Sequence, residues 1–195
     1  MELDPSTTDV AFRQAWKTMP PIGTSLEPGG PHSEKDWWRA LVYQVLDQLP
    51  SLPSIDRGAY FEDLFASYAD PAAWVVFPEI PAVLDSLKNQ GLPLFVLSNF
   101  DARLLPVLDG LGLSPYFEKI FYSEAIGHAK PSPESFAYAL RQIGLPADEC
   151  LHVGDDPSAD WLGARRAGLR VFELDRSTQD LHALLEGPGV PDFSD

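Results

Sequence analysis

The sequence predicts an α/β protein: a parallel sheet covered by helices, preceded by a wholly helical segment. Three observations carry that expectation. Residues 1–70 show the apolar spacing of helices and no strand pattern. From Pro78 onward, short apolar runs alternate with helical patterns. The run Leu94-Phe95-Val96-Leu97 is apolar at every position, as in a strand buried on both faces.

The elements follow in order. Asp4 with Pro5 reads as an N-cap and the first residue of a helix. Phe12, Ala15, Trp16 and Met19 repeat along it until Pro20-Pro21. Pro20 to Pro31, rich in proline and glycine, is a loop. Ser33 to Asp36 reads as a capping box ahead of a helix with an apolar face of Trp37, Trp38, Leu41, Val42, Val45, Leu46 and Leu49. Asp56 caps a third helix carrying Tyr60, Phe61, Leu64, Phe65 and Tyr68. Stripes of this kind are usually helix–helix contacts, so core packing is expected of them ahead of a substrate pocket. Pro78 to Gln90 is helical, with Val83, Leu84 and Leu87 inside and Gly91 as its stop. After the 94–97 strand comes a helix through Leu104 to Leu111, then a strand at Ile120-Phe121-Tyr122. Ser132-Pro133 opens a helix closed by Gly144. Leu151-His152-Val153 is a strand, Pro157 to Ala167 a helix, Val171 to Leu174 a strand, and Leu181 to Leu185 a helix.

Composition narrows the function. Hydrophobic residues make up 45% of 195 residues, enough for a buried core. The 19 prolines and 14 glycines fall short of the roughly 25–30% that marks low-complexity chains. The net charge of −15 disfavours nonspecific binding to nucleic acid and to anionic membranes. An anionic substrate must then be met by local positive charge. Cys150 is the only cysteine, which suits a reducing cytoplasm. No apolar run approaches the ~18–20 residues of a transmembrane helix, and Met1-Glu2-Leu3-Asp4 lacks the layout of a signal peptide.

In parallel sheets, ligands bind beyond the carboxyl ends of the strands. Three such ends carry polar groups: Ser98, Asn99 and Asp101; Lys130 in His128-Ala129-Lys130-Pro131; and Asp155, Asp156 and Asp160. A hydroxyl and an amide donate to phosphoryl oxygens, and a lysine neutralises their charge. Paired carboxylates suit Mg²⁺, a hard cation that shares its oxygen ligands with substrate phosphate. Singly, each feature has an ordinary alternative. Ser98-Asn99 can be a turn, Lys130 a solvated lysine, and Asp155-Asp156 a cap for the Pro157 helix.

The segments LFVLSNFD (94–101), GHAKPSPESF (127–136) and LHVGDDPSADWLGARRAG (151–168) resemble the second, third and fourth motifs of the haloacid dehalogenase (HAD) superfamily, in that order. Residues 73–195 thus resemble the HAD-like Rossmannoid α/β core. Residues 1–72, with DWWRALVYQVL (36–46), resemble the α-helical cap of the subgroup that places its cap after the first strand. The resemblance implies a Mg²⁺-dependent phosphatase acting on a small phosphorylated compound. It implies that Ser98, with the Asn99 backbone, binds the phosphoryl group. Lys130 would hold the phosphate and nucleophile charges together, with Asp160 orienting it. Asp155 would ligate Mg²⁺, and Asp156 would be a second acidic contact. His128 and His152 read as a loop residue and a core strand residue, outside the chemistry.

One departure stands out. The family's first motif, a strand ending in Asp-x-Asp that supplies the nucleophile and a Mg²⁺ ligand, has no match in residues 1–195. Without that carboxylate there is no aspartyl-phosphate, and no base is evident beside Ser98 to replace it. Three readings follow: a phosphatase whose gene model starts late, with roughly 30–40 residues upstream; a pseudoenzyme that binds phosphates or a protein partner; or a haloacid dehalogenase, which the acidic cluster makes the weakest of the three. The late start is the expectation. A receiver domain also uses Ser/Thr, Lys and an acidic pair, but there the acidic pair comes first along the chain. In the family the missing strand lies between the strands equivalent to 94–97 and 151–153. The chain must therefore pair those two directly, fill the slot, or fold poorly. Substrate identity and oligomeric state are left open.

Overall fold

Asp4, Pro5 and the apolar repeat after them make a helix at the start of the computed structural model, which describes residues 4–20, 22, 34–49 and 55–186. The chain divides into two units, Met1–Ala73 and Trp74–Asp195. In the first, α1 (Pro5–Thr18) is capped by the Asp4 carboxylate, which accepts from the N–H groups of Ser6 and Thr7. Helices α2 (Glu34–Asp47) and α3 (Arg57–Ser67) follow, and Asp56 caps α3 through the N–H groups of Gly58 and Ala59. The Ser33 capping box and most of the Pro20–Pro31 loop lie outside the described residues.

The contact between α1 and α2 differs from the expected aromatic face. Ala11 and Ala15 of α1 are buried against Trp37, Leu41, Val45 and Leu46, while Phe12 and Trp16 are 40% and 44% exposed. Small alanines let the backbones approach, and the large rings fan out at the margin. There Trp16 meets Trp37 edge-on, with centroids 5.4 Å apart. On α3, Phe61 is buried, but Tyr60 and Tyr68 are exposed. The Arg39 and Lys35 side chains lie over Phe61 and Phe65, tying α2 to α3.

The second unit alternates α4 (Ile80–Asn89), β1 (Phe95–Ser98), α5 (Leu104–Gly110), β2 (Lys119–Tyr122), α6 (Ser123–Ile126), α7 (Pro133–Ile143) and β3 (Leu151–Gly154). A π-helical turn (Pro157–Leu162), α8 (Gly163–Arg166), β4 (Arg170–Glu173) and α9 (His182–Glu186) complete it. The expected helix from Pro157 to Ala167 therefore starts wide. Both Asp160 and Trp161 donate their N–H to the Asp156 carbonyl, so the first turn closes an i→i+5 bond. Val83 and Leu87 of α4 and Leu184 of α9 are buried together, packed against Leu94, Leu151, Val153 and Phe172.

All strand pairing is parallel. β1 pairs with β2, Phe95 opposite Lys119, and β3 pairs with β4, Leu151 opposite Arg170. Among the described residues no ladder joins β1 to β3, so the sheet is two separate pairs. This corrects one expectation. The apolar run at 94–97 is only half-buried along β1, as are all residues of β3. A strand paired on one edge alone is not enclosed as a central strand would be.

Candidate active site

The carboxyl ends of β1, β2 and β3 supply the polar groups. After β1, the chain turns through Asn99 and Asp101. Asp101 is committed to structure: its buried carboxylate takes two bonds from the Arg103 guanidinium, at 2.8 and 2.7 Å. The Phe100 carbonyl accepts from the Ser123 hydroxyl, and the Glu124 carboxylate accepts from the Ala102 N–H, which fastens this turn to the start of α6.

Asn99 does something that the sequence does not announce. Its side-chain amide pairs with the main chain of Lys130. Nδ2 donates to the Lys130 carbonyl at 2.8 Å, and the Lys130 N–H donates to Oδ1 at 2.7 Å. Two bonds in opposite senses fix the Lys130 loop to the end of β1.

The Lys130 side chain is only 12% exposed, and its Nζ donates to Asp160 Oδ1 at 2.6 Å. Asp160 comes from the π-helical turn after β3. Its Oδ2 accepts the Asp156 N–H at 3.1 Å, and His152 Nε2 lies 3.0 Å from Oδ1. Burial alone would push the Asp160 carboxyl up. The His152 hydrogen bond, the Lys130 charge and bond, and the Asp156 N–H outweigh it and hold the group far below the ordinary carboxylate range. Asp160 is therefore ionised at neutral pH. Gly154 makes room for it, since a Cβ on Gly154 would lie 2.3 Å from Asp160 Cγ.

Asp156 caps the turn, its Oδ1 accepting from the N–H groups of Ser158 (2.8 Å) and Ala159 (2.6 Å). Asp155 and Asp156 are both exposed. Among the described residues, the Asp155 carboxylate and the Ser98 hydroxyl have no hydrogen-bond partner. No group of three acidic, histidine or cysteine side chains able to hold a metal occurs among the described residues. The donors present are hard carboxylate oxygens, and Mg²⁺ commonly takes only one or two of these from protein, keeping water and substrate phosphate as its other ligands. Asp155 and the second oxygen of Asp156 fit that partial demand.

Two contributors escaped the sequence reading. His152, expected as a core strand residue, reaches Asp160. Period-two alternation carried the signal: Leu151 and Val153 face the α4/α9 core, so His152 points to the other side, where its ring meets Phe136 of α7 edge-on. Trp161 donates its indole N–H to the Gly154 carbonyl at 2.8 Å, fastening the π-helical turn to β3. His128, by contrast, is exposed.

Chemically, the arrangement is a nearly buried ammonium with one donor fixed on Asp160 and two to spare, while Asp155 and Asp156 follow β3 with exposed carboxylates. It suits an oxyanion accompanied by a hard cation.

Residues 16–168 match the family described as haloacid dehalogenase-like hydrolase. Haloacid dehalogenase-like hydrolase domain-containing protein 3 of Danio rerio is 34% identical over 180 residues, covering 90% of this chain and 73% of that protein. Glyceraldehyde 3-phosphate phosphatase of Methanopyrus kandleri is 31% identical, covering 75% of this chain and 61% of that protein. Among solved structures, an L-2-haloacid dehalogenase superposes with a TM-score of 0.68 at 26% identity, covering 90% of this chain and 75% of that one. No described helix is long and apolar enough to cross a membrane.

Proposed function

The chain belongs to the haloacid dehalogenase-like hydrolases, and from that premise we propose that residues 1–195 carry the phosphate-positioning half of a Mg²⁺-dependent phosphohydrolase acting on a small phosphorylated compound in the cytoplasm. The observation that supports this most is the Lys130 ammonium, nearly buried, tethered by one Asp160 oxygen at 2.6 Å and left with two free N–H donors. On this reading Lys130 neutralises the phosphoryl group and Ser98 donates its hydroxyl to it. Asn99 locks the Lys130 main chain. Asp155, with Asp156 beside it, would hold Mg²⁺, which supplies charge neutralisation at the phosphate. Residues 1–72 would be the helical cap. Phosphatases among the relatives favour phosphate over a halogenated acid, as does the acidic pair.

Residues 1–195 contain no Asp-x-Asp, so no carboxylate is assigned the attack. For residues 1–195 taken alone, a second reading keeps the same side chains as a phosphate-binding site without turnover. Two measurements test the proposal. Inorganic phosphate titrated into the chain with Mg²⁺ should bind, and Lys130→Ala should abolish binding. The same chain should show no Mg²⁺-dependent hydrolysis of a generic phosphate ester. Turnover that disappears in Lys130→Ala or Asp155→Ala would mean that another residue performs the attack. Phosphate binding that survives Lys130→Ala would contradict the site itself.

A further inference from the structure

An ionised carboxylate offers only lone pairs. The ring nitrogen of His152 that lies 3.0 Å from Asp160 Oδ1 must therefore carry a proton, and it donates to the same oxygen that receives Lys130 Nζ at 2.6 Å. With the Asp156 N–H on Oδ2 at 3.1 Å, donors from three parts of the chain fix the carboxylate. Lys130 and the Asp156 N–H hold opposite oxygens, and His152 adds a second donor on the oxygen that holds the lysine. The main-chain N–H holds only the oxygen away from the lysine, and the lysine is the group to be held. Among the described residues, His152 is the one side chain that donates to Oδ1 from a strand. The strand face and Phe136, whose centroid lies 5.3 Å from the imidazole, set its own ring. Gly163 in turn lets Phe136 approach, since a Cβ there would meet that ring at 2.8 Å. A continuous packed chain runs from Gly163 through Phe136 and His152 to Asp160 and Lys130.

We infer that His152 is a positioning residue: by fixing the Asp160 carboxylate it aims the Lys130 ammonium at the phosphoryl group. The inference rests on the phosphate-site reading above and adds a residue to it. Partners one step behind a metal ligand commonly change affinity or activity by roughly 10–100-fold, and the lower end of that range sets the expectation for Lys130.

The test is a titration of inorganic phosphate, in buffer containing Mg²⁺, into the 195-residue chain and its variants. The amide signals of Ser98, Asn99 and Asp155 report binding, and each variant is melted in parallel. His152→Phe keeps a ring against Phe136 and removes the donor. It should bind phosphate about tenfold more weakly. His152→Gln places an amide N–H near the position of Nε2 and should restore most of the affinity. His152→Asn, whose donor falls short of Asp160, should not. If His152→Phe fails to melt cooperatively, the Gln and Asn pair decides alone. Wild-type affinity in His152→Phe, or equal affinity in the Gln and Asn variants, overturns the inference. Lys130→Ala separates the two levels. If it leaves phosphate binding unchanged, the site reading fails and the inference with it. If it abolishes binding while His152→Phe does not weaken it, only the inference fails.

Discussion

Asp160 answers donors from β3, from the Lys130 loop and from its own turn, and each answer has a measurable consequence. Its carboxyl sits far below the usual carboxylate range in the folded protein, against an ordinary value of roughly 3.9 in the unfolded chain. A depressed group contributes stability that is complete above the unfolded value and is lost as pH falls below it. Thermal stability should therefore hold level from neutral pH to about pH 5 and decline in more acid solution. Asp160→Asn should flatten that decline. At neutral pH it should also lower stability by about 3 kcal/mol, because a nearly buried ammonium loses its counter-charge. Melting curves of both proteins between pH 3 and 7 check the two effects together. Gly154→Ala should fail differently. The new methyl has no space beside Asp160 Cγ, so it should cost roughly 1–3 kcal/mol and displace the carboxylate from Lys130. The resemblance to the family's motifs implied that Asp160 would orient Lys130. It did not suggest His152, because a histidine inside an apolar strand reads as core until the neighbouring strand residues show which face it takes.

At the scale of elements, Asp156 separates two roles that the sequence left open. It caps the turn after β3, and the proposal also gives it a share of the metal. Asparagine caps as well as aspartate but carries no charge. Asp156→Asn should therefore melt within a few tenths of a kcal/mol of wild type while binding Mg²⁺ more weakly, and Asp156→Ala should lose about 1 kcal/mol as well. Equal Mg²⁺ affinity in all three would reduce Asp156 to a cap. The helices and strands of the second unit were largely readable, because apolar periodicity and glycine stops mark them. Gly144 indeed closes α7 in the left-handed region, at φ 82°. Less was readable where local pattern yields to packing. The short α6 has too few residues for periodicity to register. The π-helical start of the Pro157 segment accompanies bonds that Asp160 accepts from Lys130 and His152 and that Trp161 donates to Gly154, which no local pattern states. The burial of β1 depends on how many neighbours it has, which no strand sequence states.

At the scale of the molecule, the divided sheet is the feature with the widest consequence. β1 and β3 each pair on one side only among the described residues. In a parallel strand, successive N–H groups point to opposite edges. Alternate amides of β1 and β3 should therefore exchange with solvent far faster than their neighbours in the same strand. Uniform slow exchange along both strands would mean that another segment covers the open edges. The acidic balance of the chain acts at this scale too. With a net charge of −15, the surface repels an anion everywhere except where local cations and a bound metal reverse the field. Phosphate binding therefore needs local cations, and the account places it at Lys130.

The most direct test of that claim is a crystal structure of the 195-residue chain grown with phosphate and Mg²⁺. The account predicts phosphate at the carboxyl end of β1, within hydrogen-bond reach of Lys130 Nζ and the Ser98 hydroxyl, with Asp160 still holding the lysine and Mg²⁺ on Asp155. Phosphate bound elsewhere, or a Lys130 side chain turned away from it, would contradict the account.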